Sequence, residues 1–169
     1  TSFLADMGEE IANVSFDAPP GLSPNGPPRG SPFPPPATPP GQAPVLVDDE
    51  FIFHEGDTIS ENLFNDNGFG ADSDPNGDQL FLNELNGQLV DGTTPISLTT
   101  VDGREIVLLA TSDGSISFSV GSIFEDLALG ETDEVVFTYV AFDANGFSAA
   151  EYATVTMAIN GQNDGPTLQ

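Results

Sequence analysis

Twelve of the chain's fifteen prolines fall between Pro19 and Pro44, with Gly21, Gly26, Gly30 and Gly41 among them. Proline fixes φ and removes the amide donor that a helix or a central strand requires, so this stretch cannot contribute regular structure. Residues 18–44 therefore read as a Pro/Gly-rich linker, extended and partly polyproline II. Pro34-Pro35-Pro36 also has the form of a ligand for an aromatic groove, although no aromatic partner for it is in view in the sequence. Ahead of the linker stands a short N-terminal arm, residues 1–17. Its Phe3, Leu4, Met7, Ile11 and Val14 fit a helical stripe, while Ala12, Val14 and Phe16 fit strand alternation, and the period does not decide between them.

From Val45 onward the pattern becomes short apolar alternations separated by Gly, Asp and Asn turns, the spacing of an all-β sandwich. Strands are predicted over 45–53, 58–64, 79–86, 96–100, 105–111, 115–120, 134–143 and 149–160. Asp113-Gly114 and Asn145-Gly146 supply the positive φ that tight hairpin loops need. In the last strand Ala153, Val155, Met157 and Ile159 share one face, which is expected to meet Phe137 and Tyr139 in the core. The sandwich spans 45–160. Gly41-Gln42-Ala43-Pro44-Val45-Leu46 is echoed by Gly161-Gln162-Asn163-Asp164-Gly165-Pro166-Thr167-Leu168, so 161–169 reads as a linker to a next repeat in a tandem array.

One loop inside this region carries chemistry. Asp72-Ser73-Asp74-Pro75-Asn76-Gly77-Asp78 places three carboxylates and a side-chain amide, Asn76, on alternate positions around a glycine turn. Carboxylates about 5 Å apart repel by roughly 3 kcal/mol per pair at an effective dielectric of about 20. Calcium offsets such repulsion well, because it accepts oxygen ligands in flexible geometry. The loop is not an EF-hand: the twelfth position is Asn83 where a bidentate Glu is required, and Gln79-Leu80-Phe81-Leu82 reads as a strand rather than a helix. A solvated acidic turn is the bland alternative, since Asp, Asn, Pro and Gly are also the ordinary turn residues.

The overall charge bears on partners. With 27 acidic residues against Arg29 and Arg104, the net charge is -25, which repels nucleic acid and anionic membrane surfaces. Thirteen Phe and 38% hydrophobic residues can nonetheless supply a core. The absence of cysteine excludes disulfides, zinc-thiolate sites and cysteine nucleophiles, leaving a metal as the available staple for a secreted domain. No apolar run approaches the roughly 20 residues of a membrane helix, so no membrane insertion is expected. Beginning at Thr1, the chain reads as a processed product or an excised piece. Enzymatic function has little to rest on. His54 is the single histidine, with no nucleophile motif beside it, and there is no Trp platform for a sugar substrate.

Several of these segments together resemble bacterial cadherin-like repeats, including the group called VCBS repeats, over about residues 43–168. The opening Pro44-Val45-Leu46-Val47-Asp48-Asp49-Glu50-Phe51, then Asn65-Asp66 and the 72–78 loop, are similar to their start. The strand Val135-Val136-Phe137-Thr138-Tyr139-Val140-Ala141-Phe142-Asp143-Ala144-Asn145-Gly146 and the run Asn160-Gly161-Gln162-Asn163-Asp164-Gly165-Pro166 are similar to their close. The resemblance implies an immunoglobulin/cadherin-like β-sandwich of seven or eight strands, calcium bound near its ends, and service in large secreted surface proteins as a rod or an adhesive tip. It matches Asp72 and Asp74 to the family's Asp-x-Asp pair, Asp143 to the aspartate before its last hairpin, Asn163 with Asp164 to the linker pair, and Glu55 to the glutamate after the first strand. The upstream Gln42-Ala43-Pro44 departs from the family by lacking Asn-Asp. The expected partners are neighbouring repeats or copies of itself and a cell-surface or matrix ligand, outside the cell. The alternative is a self-assembling subunit of an extracellular filament or surface layer, with the arm docking on a neighbouring copy.

Overall fold

A computed structural model describes residues 40–163; the N-terminal arm, most of the linker and Asp164 lie outside the described residues. There are nine strands among the described residues, and all but the two-residue Gln88–Leu89 bury apolar side chains on one face. They are β1 (Asp49–His54), β2 (Thr58–Asn62), β3 (Leu80–Leu85), β4 (Gln88–Leu89), β5 (Ile96–Thr99), β6 (Glu105–Ala110), β7 (Ser115–Ser119), β8 (Thr132–Asp143) and β9 (Ala153–Asn160). They form a five-stranded sheet ordered β1-β9-β8-β3-β4 and a four-stranded sheet ordered β2-β7-β6-β5. The all-β sandwich expected from the alternation is the observed architecture, and the only helical element among the described residues is a 3-10 turn, Gly121–Ile123.

The two sheets close over one core that includes Ile59, Leu82, Ile106, Ile116, Phe124, Phe137 and Met157. Phe137 pairs with Val155 and Tyr139 with Ala153, so the predicted inward face of β9 does meet those two aromatics. Burial of one such side chain contributes about 1.5–3 kcal/mol. β8 is the longest strand, and its inward row reads Asp133, Val135, Phe137, Tyr139, Ala141 and Asp143, all buried. The apolar row thus begins and ends in aspartate.

Strand bounds differ from expectation in three places. Val45–Val47 do not extend β1: Val45 forms a bridge with Ser73, and the Val47 amide donates to Asp72 Oδ1. β9 begins at Ala153, since Ser148 and Ala149 are still closing the turn after β8 through Phe142 and Ala141. β4 was not predicted. Asn86, at φ 50°, and Gly87, at φ 74°, turn the chain back so that Gln88 and Leu89 pair with β3.

Candidate metal centre

The chain crosses from β2 in one sheet to β3 in the other through residues 63–79, a length at which connections usually carry function. This segment is held down along its length. The Asp72 amide donates to the Phe64 carbonyl, Val45 and Ser73 exchange both backbone hydrogen bonds at 2.8 and 3.1 Å, and Asn67 Nδ2 donates to Asp49 Oδ1 at 2.8 Å. The Gln42 amide donates to Asn76 Oδ1 at 2.7 Å. Because Leu80 is paired with Asp143, the end of the loop arrives beside the end of β8.

Three carboxylates meet there. Asp74, Asp78 and Asp143 each offer one oxygen such that the three lie within 4.8 Å of one another. Asp74 Oδ1 accepts the amides of Asn76 and Asp78 at 2.7 and 3.2 Å, an Asx turn that shapes the loop. Asp143 Oδ1 accepts the amides of Asn145 and Phe147, both at 2.8 Å, and so builds the turn that follows β8. In both residues the second oxygen, Oδ2, is buried and has no partner among the described residues. Asp78 Oδ2 is held by Asn145 Nδ2 at 2.6 Å, which ties the loop to the turn. Leaving buried acceptors unpaired costs about 1–3 kcal/mol each, more when charged, and three carboxylates at this spacing repel by roughly 3 kcal/mol per pair. A hard cation relieves both costs at once, and the oxygen-only donor set suits calcium or magnesium and excludes soft metals.

Asp72 stands apart from this trio. Its Oδ1 accepts the Val47 amide and its Oδ2 accepts the Tyr139 hydroxyl, both at 2.7 Å, so its carboxylate faces the interior. Beside it, Asp49 is only 2% exposed and its Oδ2 has no partner among the described residues. Burial pushes Asp49 up to about 7, against the Asn67 hydrogen bond, with the nearby charge of Asp72 adding to the rise. Burial likewise raises Asp72, opposed by the Tyr139 hydroxyl. The Tyr139 hydroxyl is itself raised, first by burial and then by its bond to Asp72.

At the other end of the sandwich, Glu55 follows β1. Its Oε1 accepts the Gln162 amide at 2.6 Å, its carbonyl accepts Gln162 Nε2 at 3.1 Å, and its Oε2 is buried without a partner among the described residues. Asn163 is exposed. Also at this end, buried Asp133 receives the Thr100 hydroxyl at 2.6 Å and Arg104 Nη1 at 2.8 Å, while Arg104 Nη2 donates to Asp126 at 2.8 Å. The guanidinium lies 5.7 Å from the centre of the Phe124 ring. Burial would raise Asp133, but the Thr100 and Arg104 hydrogen bonds outweigh it and hold the carboxyl below its usual range. Sequence reading missed Asp49, Asp133 and the role of Arg104. The signal available was parity: Asp49 shares the inward parity of Phe51, and Asp133 that of Val135 and Phe137.

No family model matches the chain. The chain is 19% identical to a solved nucleoside hydrolase-related hypothetical protein from Saccharophagus degradans, with a TM-score of 0.33 over 72% of this chain and 26% of that one. The sequence is also similar to the calcium-binding lectin RapA2 of Rhizobium johnstonii, at 32% identity over 116 residues, 68% of this chain and 46% of the relative. The chain thus spans about half the length of the curated relative that it matches.

Proposed function

We propose that this chain is a calcium-binding, non-enzymatic module of a bacterial extracellular surface protein, with a structural or adhesive role, built as a cadherin-like repeat. The observation that carries the calcium reading is the pair of buried, unpartnered oxygens of Asp74 and Asp143 beside Asp78. The similarity to a calcium-binding lectin supports it independently. Asp74, Asp78 and Asp143 would hold the ion, with Asn76 shaping their loop. Glu55, Asn163 and Asp164 are proposed for a second ion at the linker end, where Glu55 Oε2 is also without a partner. A bound ion neutralises the cluster and clamps the 63–79 loop to the turn after β8. His54 is exposed, with Asp57 3.8 Å away on the same turn, an arrangement that supports a surface histidine over a catalytic one.

Thermal melting with calcium and with excess EDTA tests the proposal. An ion bound only by the folded state stabilises it by about 2.7 kcal/mol at one hundred times its dissociation constant, so the melting temperature rises with calcium. Identical melting curves in the two conditions would rule the reading out. The filament alternative depends on residues 1–17, which lie outside the described residues, and no observation here favours it.

A further inference from the structure

The same long loop presents an aromatic ring to solvent. Phe69 is 63% exposed, and it sits between Gly68 at φ 115° and Gly70 at φ 121°. Asp66 Oδ1 accepts the amides of both glycines, at 3.2 and 3.0 Å, so the turn is closed around its own base with the ring held outward. The Glu50 amide donates to the Asn67 carbonyl at 3.0 Å, which fixes this turn against β1. Phe69 there forms one wall of a cleft whose other walls are Asp48, Asp49, Glu50, Thr154 and Thr156. Thr154 and Thr156 come from the outward face of β9, next to β1 in the sheet. Asp48 Oδ1 is tied to the Thr154 amide at 2.7 Å, so the carboxylate is positioned within the cleft.

We infer that this cleft is a carbohydrate subsite for a neutral or amine-bearing sugar. The inference rests on the adhesive half of the proposed function and is independent of its calcium half. A pyranose presents a ring face rich in C–H to an aromatic plane and hydroxyl donors at its rim; Phe69 supplies the plane, Glu50 and Asp48 supply strong acceptors, and the threonine hydroxyls both donate and accept. An apolar protein partner fits less well, because the ring is surrounded by carboxylates and hydroxyls rather than by a contiguous apolar patch. Uronic acids and other polyanions are repelled by the two outward carboxylates and by the net charge of -25.

The test is a titration of the full chain, in saturating calcium, with methyl glucoside, methyl galactoside, methyl mannoside, glucosamine and glucuronic acid, followed by amide NMR shifts. At least one neutral or amino sugar is expected to shift the amides of Glu50, Phe69, Thr154 and Thr156, and glucuronic acid is expected not to. Phe69→Ala should weaken that sugar at least tenfold while calorimetric calcium affinity stays unchanged. Asp66→Asn, which keeps an acceptor for the two glycine amides, should weaken it less. The inference is overturned if none of the sugars shifts these amides, if Phe69→Ala binds sugar as the parent does, or if its sole effect is to convert a dimer to a monomer. Calcium titration of the parent chain separates the two readings, since a parent that binds calcium but none of the sugars defeats only this one.

Discussion

The two ends of β8 place an aspartate in the same inward row and resolve its burial in opposite ways. At one end Asp133 has Arg104, Thr100 and the Asp102 and Glu134 amides as donors, and its charge is compensated from within the chain. At the other end Asp143 is fully buried, one of its oxygens is unpartnered, and two further carboxylates crowd it. Arg104 is the single Lys or Arg among the described residues, and it is committed to the first end. On the proposed calcium reading, a chain with almost no basic residues imports a cation for the second. A third case is Asp49, beside Asp72 and Tyr139 and within reach of the charge of Asp48: with no arginine at hand, burial raises its carboxyl to about 7, so that it binds a proton as pH falls below that value.

The largest expected effect is at the internally compensated end. Arg104→Met should lower stability by about 3 kcal/mol, the low end for breaking a buried pair because the guanidinium keeps some contact with water. Chemical denaturation reads this, and calcium affinity should not change; a change there would mean that the two ends are not independent. Asp143→Asn comes next. It keeps an acceptor for the Asn145 and Phe147 amides but removes the charge, and it should weaken calcium binding at least 100-fold, about 2.7 kcal/mol, by calorimetry. A loss under threefold would place the ion elsewhere.

The buried Asp49 carboxyl gives a pH signature. Asp49 is raised from 3.8 to about 7 in the folded state, so its stabilising contribution is complete below about pH 4 and is lost as pH rises through 7. Between pH 5 and 7 the calcium-free parent should therefore lose roughly 2 kcal/mol relative to Asp49→Asn, which has no such group to titrate. Parallel stability profiles for the two proteins would contradict this. The smallest effects separate neighbouring acids of one loop: Asp74→Ala should weaken calcium about tenfold, whereas Asp66→Ala should leave it nearly unchanged, because Asp66 Oδ1 serves only the Gly68 and Gly70 amides. Equal losses would show that the ligand set has been drawn wrongly.

Much of the fold was legible because sandwich strands announce themselves by alternation, and eight of the nine lie within or across the predicted spans. β4 escaped because two residues carry no period. The meeting of the 72–78 loop with Asp143 could be anticipated from both lying at strand ends. Which acids of that loop face one another could not. Asp72 and Asp74 are equivalent in the D-x-D pattern, yet Asp72 turns inward because the Val47 amide and the Tyr139 hydroxyl, 25 and 67 residues away in the chain, compete for it. Long-range donors of this kind leave no trace in local spacing. Residues such as Asp133 were hidden for a different reason: an aspartate at the head of an apolar row reads as a turn residue until its partner Arg104 is seen.

Anomalous scattering from crystals of the chain grown with terbium as a calcium substitute locates the cation at one end of β8 or the other. A difference peak bounded by Asp74, Asp78 and Asp143 is expected, with no peak beside Asp133, where Arg104 already supplies the charge. A well-ordered crystal with no peak at the Asp143 end, or with the metal at Asp133 instead, would contradict the calcium reading.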